Sequence, residues 1–137
     1  MSERTEAGEP VLVTLSTPPR RGLVDGLVRY LGASAAALIL ELDAPDSGIA
    51  DFLAGVAHSD TGFVARTSSG QRAVAIVAAT AAALCGDDIR TALSRPDIAF
   101  LSSLKPPAVE AVRSVLLAIE TDDPDHVIDA LRVLTRS

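Results

Sequence analysis

Short runs of β-branched and apolar residues recur along the chain and predict β-strands. They occupy residues 11–16 (VLVTLS), 35–42 (AAALILEL), 62–67 (GFVART) and 97–102 (DIAFLS). The run over residues 35–42 has no polar alternation, which is typical of a central strand covered by helices on both faces. The pattern therefore predicts about four strands.

Apolar residues at helical spacing fill the intervals between these runs. The first predicted helix spans residues 23–31 and ends at Gly32. The second follows a capping residue, Asp46 or Ser47, and the third is a long alanine-rich helix that ends at Gly86. A short further helix, capped by an aspartate, is expected directly after that glycine.

Two more helices are predicted near the C-terminal end, where apolar residues again recur every three or four positions. Their predicted apolar faces consist of Val109, Val112, Leu116 and Ile119, and of Val127, Ile128, Leu131 and Leu134. Pro124 follows an aspartate between them, which is typical of the start of a helix. We therefore expect a C-terminal helical hairpin.

Together these elements predict one compact α/β domain over residues 11–137. It should contain about four mostly parallel strands layered with helices, because strands alternate with helices along the chain. Residues 1–10 are polar and acidic, and we expect them to form a disordered tail.

The net charge and the composition of the chain exclude some classes of binding partner. The net charge is -6, and the chain has three Phe, one Tyr and no Trp, so neither duplex nor single-stranded nucleic acid is expected to bind.

The longest apolar run, residues 73–85, falls short of the ~20 residues that cross a bilayer, and the N-terminal residues lack a secretion signal. These features predict a cytoplasmic protein without a membrane span. An acidic surface and an open sheet edge are compatible with a homo-oligomer or a protein partner.

Cysteine and histidine offer little chemistry in this sequence. Cys85 has no second cysteine to pair with, and no Cys or His cluster has the spacing of a zinc site. We expect Cys85 to lie in the core and His58 and His126 to lie on the surface. No metal site and no bound cofactor are predicted.

Polar residues follow the predicted strands at their carboxyl ends, where open parallel sheets bind ligands. The candidate ligand-binding residues are Asp43, Asp46, Ser47, Gly48, Ser68, Ser69, Gly70 and Lys105. Hydroxyl groups, one lysine and helix N-terminal amides at this rim predict a site for a small anion or a thioester carbonyl. The same residue types cap helices and form turns in any α/β protein, so a purely structural role is the alternative.

Three segments resemble the crotonase family, the enoyl-CoA hydratases and isomerases. Residues 13–22 (VTLSTPPRRG) are similar to its first strand and turn, and residues 37–53 are similar to the strand that leads to its first oxyanion loop. Ser47, Gly48 and Asp51 stand where the family has Ser-Ala-Gly-x-Asp. Residues 83–92 (ALCGDDIRTA) resemble its Ala-Cys-Asp-Ile-Arg-x-Ala helix, and residues 98–100 resemble its next short strand.

The resemblance implies an acyl-CoA-type thioester as ligand, with the Gly48 amide as one of two donors to the thioester oxygen. This chain departs from the family at the second oxyanion loop, where Gly70, Gln71 and Arg72 replace a run of glycines. It also has no glutamate at the family's catalytic positions. The resemblance therefore implies a thioester-binding domain with little or no hydratase activity.

Two regulatory folds are alternatives. Residues 46–49 (DSGI) resemble the Asp-Ser-x-Gly-Leu signature of STAS anti-sigma-antagonist domains, in which the serine is phosphorylated, so Ser47 would be the switch. Response-regulator receivers are a weaker analogue, based on Glu41 or Asp43 at the end of a strand, on Thr67 and on the Lys105-Pro106 pair. The predicted first strand lacks the acidic pair with which receivers bind magnesium.

Overall fold

Four short strands form one parallel sheet in the computed structural model, which describes residues 22–34 and 38–135. In chain order they are β1 (Val28–Tyr30), β2 (Ile39–Glu41), β3 (Phe63–Arg66) and β4 (Leu116–Thr121). Their order across the sheet is β1-β4-β3-β2, and every neighbouring pair is parallel. Among the described residues, the outer strands of the sheet are therefore β1 and β2.

Six α-helices accompany the sheet within the described residues. They are α1 (Asp46–Val56), α2 (Gly70–Cys85), α3 (Ile89–Ser94), α4 (Ile98–Ser102), α5 (Pro106–Val115) and α6 (Pro124–Leu131). A 3-10 turn, Arg132–Thr135, follows α6. None of these helices combines the length and apolarity needed to cross a membrane.

The connections from β2 through β3 to β4 step one position at a time in the same direction across the sheet. Right-handed crossovers of this kind place their helices on one face. The helix α2 packs against α1, α3, α5 and α6. Its small side chains permit this close packing, because eleven residues of the helix, mostly alanines, are buried.

Strand register divides the sheet into an apolar face and a partly charged one. Leu40, Ala65 and Ile119 occupy one row across the strands and belong to the hydrophobic core. Because side chains alternate along a strand, the next residues in each strand face the other way. That neighbouring row is charged and takes part in the candidate site.

The structure confirms a single α/β domain with a four-stranded parallel sheet and a final C-terminal helix. Among the individual elements, α1, α2, α3, β2 and β3 lie where the sequence predicts them. The predicted strand over residues 11–16, the tail over residues 1–10 and part of the run over residues 35–42 lie outside the described residues.

The predicted helix over residues 23–31 is wrong. Residues 23–27 form turns, and β1 follows and pairs with β4. Gly26 has a φ of 65°, a left-handed conformation that interrupts a helix, and both Leu23 and Leu27 still reach the core from the turns. Their four-residue spacing therefore imitates a helical face.

The predicted strand over residues 97–102 is also wrong, because this segment forms α4. The Asp97 carboxylate accepts a hydrogen bond from the Phe100 amide at 3.0 Å and so caps the helix. Leu101 fills the core from the helix as it would have from a strand.

The C-terminal helices are present, but they do not form a hairpin. Residues 116–121 form β4, which lies between α5 and α6 in the chain and between β1 and β3 in the sheet. The described part of the run predicted as the central strand, residues 38–42, contains β2, which pairs with β3 among the described residues. Leu116 and Ile119 fit a helical spacing, yet they are buried in the sheet core.

Candidate functional site

The loops that follow β2 and β3 emerge side by side, because these strands pair in parallel with Leu40 opposite Ala65. Together they line an open cavity of about 530 Å³, and an adjoining cavity of about 310 Å³ extends it toward the end of β4. Both cavities are lined by Asp43, Thr67 and Ser68. We call the two cavities the rim cleft. Its remaining polar and charged lining residues are Glu41, Asp46, Arg66, Ser69, Arg72, Glu120, Thr121 and Asp122.

Arg72, in the first turn of α2, lines the rim cleft. Its guanidinium donates to the carbonyl oxygens of Leu42 (2.9 Å) and Ala44 (3.4 Å) and to Asp46 Oδ1 (2.9 Å). The side chain keeps 28% of its surface exposed. Arg72 therefore ties the loop after β2 to α2 and neutralises Asp46. The sequence pattern does not single out Arg72 as a site residue.

A row of alternating charges crosses the carboxyl half of the sheet. Strand register places Arg29, Glu120, Arg66 and Glu41 side by side, one from each strand. The side chain of Glu120 is 1% exposed, and Arg66 Nε donates to it at 3.1 Å. Arg66 also lies 3.7 Å from Glu41 Oε2, so it is shared between two carboxylates.

Backbone amides complete the surroundings of Glu120. Gly32 N–H donates to Oε1 at 3.0 Å and Ser34 N–H donates to Oε2 at 2.8 Å. Burial raises the pKa of Glu120, but these hydrogen bonds and the Arg66 guanidinium outweigh it, so the net pKa lies below its usual 4.5. The carboxylate therefore stays ionised and holds the segment after β1 against β4.

The hydroxyl groups of the cleft organise the loop between β3 and α2. Ser68 Oγ donates to Asp122 Oδ1 at 2.5 Å, which joins the ends of β3 and β4. Ser69 Oγ accepts from Arg72 N–H at 3.2 Å and caps α2, while Ser69 N–H donates to Thr67 Oγ1 at 3.0 Å. The loop is therefore fixed in place before any ligand binds.

The N-termini of α1 and α2 both lie beside the rim cleft. In α1 the first intrahelical bond runs from Ile49 N–H to the Pro45 carbonyl at 3.1 Å, so the amides of Ser47 and Gly48 lack an intrahelical acceptor. The amides of Gly70 and Gln71 stand in the same position in α2. Two adjacent helix N-termini carry partial positive charge and free donors, which suits an anion.

The structure brings together four of the eight predicted site residues, Asp43, Asp46, Ser68 and Ser69. Ser47 and Gly48 are exposed in the first turn of α1 but do not line the cleft. Lys105 precedes α5 rather than following a strand, and it does not line the cleft. The neighbouring polar groups from the next strand are Thr121 and Asp122, which the sequence analysis missed because it did not predict β4.

Gly70 is buried where α2 meets α6, and its role there is in packing. A Cβ atom at this position would collide with the Cβ of Ala130. The absence of a side chain therefore permits the two helices to approach, and Gly70 does not line the rim cleft.

Cys85 is exposed at the last residue of α2, and the prediction that it lies in the core is wrong. It follows the buried stretch of α2 at the point where the helix leaves the core. His58 and His126 are exposed, as predicted. Among residues 22–34 and 38–135, no group of three or more His, Cys, Asp or Glu residues is placed to hold a metal ion.

Comparisons of the chain with protein-family models, curated proteins and solved structures found no match. The chemistry of the site therefore follows from its geometry. The rim cleft offers two arginines, three hydroxyl groups in the loop after β3 and the carboxylates of Asp43 and Asp122, and the N-terminal ends of α1 and α2 lie next to it. This set can bind a small ligand that carries both an anionic group and hydrogen-bond donors.

Proposed function

We propose that this chain is a small cytoplasmic, crotonase-like domain that binds a small anionic ligand, of the acyl-CoA thioester type, in the rim cleft. We further propose that it has little or no hydratase activity. The observation that carries the proposal is that the loops starting at Asp43 and at Ser68 line one open cleft. Separate loops at opposite edges would have left no shared space for a ligand.

Charge placement supports an anionic ligand despite the acidic composition of the chain. Arg72 neutralises Asp46, and Arg66 neutralises Glu120 and lies near Glu41. The N-terminal ends of α1 and α2, which carry partial positive charge, lie next to these pairs. A thioester oxygen or a phosphate group can accept hydrogen bonds from donors at this end of the cleft, where the Asp46 carboxylate is already paired with Arg72.

The acid groups of the cleft support binding rather than hydration chemistry. A general acid or base works best when its pKa lies near the operating pH. The pKa of Glu120, the buried carboxylate at the cleft, is lowered from 4.5 and so moves away from neutrality. Asp46 and Asp122 are held by Arg72 and by the Ser68 hydroxyl.

Thermal unfolding with a panel of CoA, acetyl-CoA and longer acyl-CoA thioesters tests this function. A ligand that binds only the folded state at 100 times its Kd adds about 2.7 kcal/mol of stability, which raises the Tm by several degrees. Arg72→Gln should reduce the shift, whereas Arg90→Gln, an exposed arginine on α3, should keep it. The proposal fails if no thioester raises the Tm of the unmodified chain.

A phosphorylation switch at Ser47 is the second candidate, and the exposure of this side chain favours it. Ser47 is the second residue of α1, and its hydroxyl makes no hydrogen bond with the described residues. A phosphate there would meet the positive end of the helix. Phosphopeptide mass spectrometry of the chain isolated from its native cells should find phosphate on Ser47; a fully unmodified Ser47 across growth conditions would remove this candidate.

A further inference from the structure

A separate cavity lies at the opposite end of α2 from the rim cleft, between α2, α3 and α4. Its volume is about 340 Å³. Its apolar lining includes Ala78 and Ala82, which are almost fully buried, and Phe100, which is 40% exposed. We call this cavity the helical groove. An exposed aromatic ring beside buried alanines gives it an apolar floor that is open to solvent.

Charged groups line the mouth of the helical groove. Its lining includes three aspartates, Asp87, Asp88 and Asp97, and one arginine, Arg95. Neither Asp87 nor Arg95 forms an ion pair with the described residues, and Asp97 is engaged only as the cap of α4. The mouth is therefore net negative, in keeping with a net charge of -6 for the chain.

We propose that the helical groove is a docking site for a basic amphipathic segment of a partner protein. A large apolar side chain of that segment packs against Ala78, Ala82 and Phe100, and flanking Lys or Arg side chains lie beside Asp87 and Asp97. Charge complementarity argues for this occupant, because an apolar floor with an acidic mouth matches an apolar residue between basic ones. An acidic segment would meet three carboxylates and is disfavoured.

The first test uses a fluorescein-labelled helical peptide with leucines on one face and lysines on the other. Fluorescence anisotropy with the full chain should detect binding. The binding should weaken as the salt concentration is raised, because the charged residues at the mouth of the helical groove contribute to it. Two companion peptides carry Glu in place of Lys, or Ser in place of Leu. Equal binding of the Glu peptide, or no binding of the Leu/Lys peptide, would overturn the proposal.

Two variants of the chain locate the site. Phe100→Ala should weaken binding about tenfold or more, as expected for a central aromatic contact, and Asp87→Lys should weaken it and reduce its dependence on salt. The matched controls are Ile128→Ala, an exposed apolar residue on α6, and Asp51→Lys, an exposed aspartate on α1. Circular dichroism verifies folding. Unchanged affinity in Asp87→Lys, or loss of binding in both controls as well, would contradict docking at this groove.

Discussion

Glu120 connects three segments at the carboxyl end of the sheet. It joins β4 to β3 through Arg66 and joins β4 to the segment after β1 through two backbone amides. A buried carboxylate is tolerated because each of these donors supplies a hydrogen bond. The rim cleft therefore owes part of its shape to a single side chain.

Removing the charge of Glu120 should destabilise the fold. Hydrogen bonds to charged groups contribute roughly 1.5–3 kcal/mol, so Glu120→Gln should lower the free energy of unfolding by about that amount. Urea denaturation measures it. Glu41→Gln is the control, since the Glu41 side chain is 59% exposed and its pairing with Arg66 should contribute under about 1 kcal/mol. Equal losses in the two variants would contradict this account.

The lowered pKa of Glu120 also sets a direction for pH dependence. Its folded pKa lies below the ordinary value of 4.5, so the stabilisation is complete above that value and is lost as pH falls through the folded pKa. The difference in unfolding free energy between the unmodified chain and Glu120→Gln should therefore shrink on acidification below 4.5. A difference that stays constant from neutral to acidic pH would show that the carboxylate charge does not stabilise the fold.

The second prediction at the level of single residues concerns Gly70. Gly70→Ala should destabilise the fold by about 1–3 kcal/mol, because the new methyl group collides with Ala130. Gly55→Ala is the matched control: it lies in α1 with open space around its Cβ position, and there alanine should stabilise the helix by roughly 0.5–1 kcal/mol. Thermal unfolding compares the two variants, and adding Ala130→Gly should rescue Gly70→Ala. Failure of that rescue would refute the collision.

At the level of elements, the sequence correctly predicts those helices whose positions are determined by nearby residues. The helices α1, α2 and α3 combine apolar spacing with a capping residue or a terminating glycine, so their positions follow from nearby residues. The strands β1 and β4 do not, because a short run buried in the sheet can show the same spacing as a helix. Leu116 and Ile119, three residues apart, illustrate this ambiguity.

The residues of the candidate site also fall into two groups, those that the sequence predicts and those that depend on contacts between distant segments. The rule that parallel strands end at one edge was sufficient to bring Asp43 and Ser68 together. Glu120 was missed because its partners lie 54 to 88 positions away along the chain and meet it only through strand register. Lys105 was selected because it followed a predicted strand that is in fact α4. Contacts that depend on non-local pairing cannot be read from the pattern of one segment.

At the level of the whole molecule, α2 connects the two surfaces that we propose to bind ligands. Its N-terminus lies at the rim cleft and its C-terminal half lines the helical groove. Most of the helix between them is buried against the core. The two surfaces are therefore separated by a packed helix, and variants at one should leave the other intact.

Amide chemical-shift mapping during titration with an acyl-CoA thioester tests the central claim most directly. Binding in the rim cleft should shift the amide resonances of Asp43, Ser68, Ser69 and Arg72, which line it, while resonances at the helical groove, such as those of Asp87 and Phe100, stay in place. Shifts confined to other parts of the chain, or none at saturating thioester, would contradict the claim that the loops after β2 and β3 form the binding site.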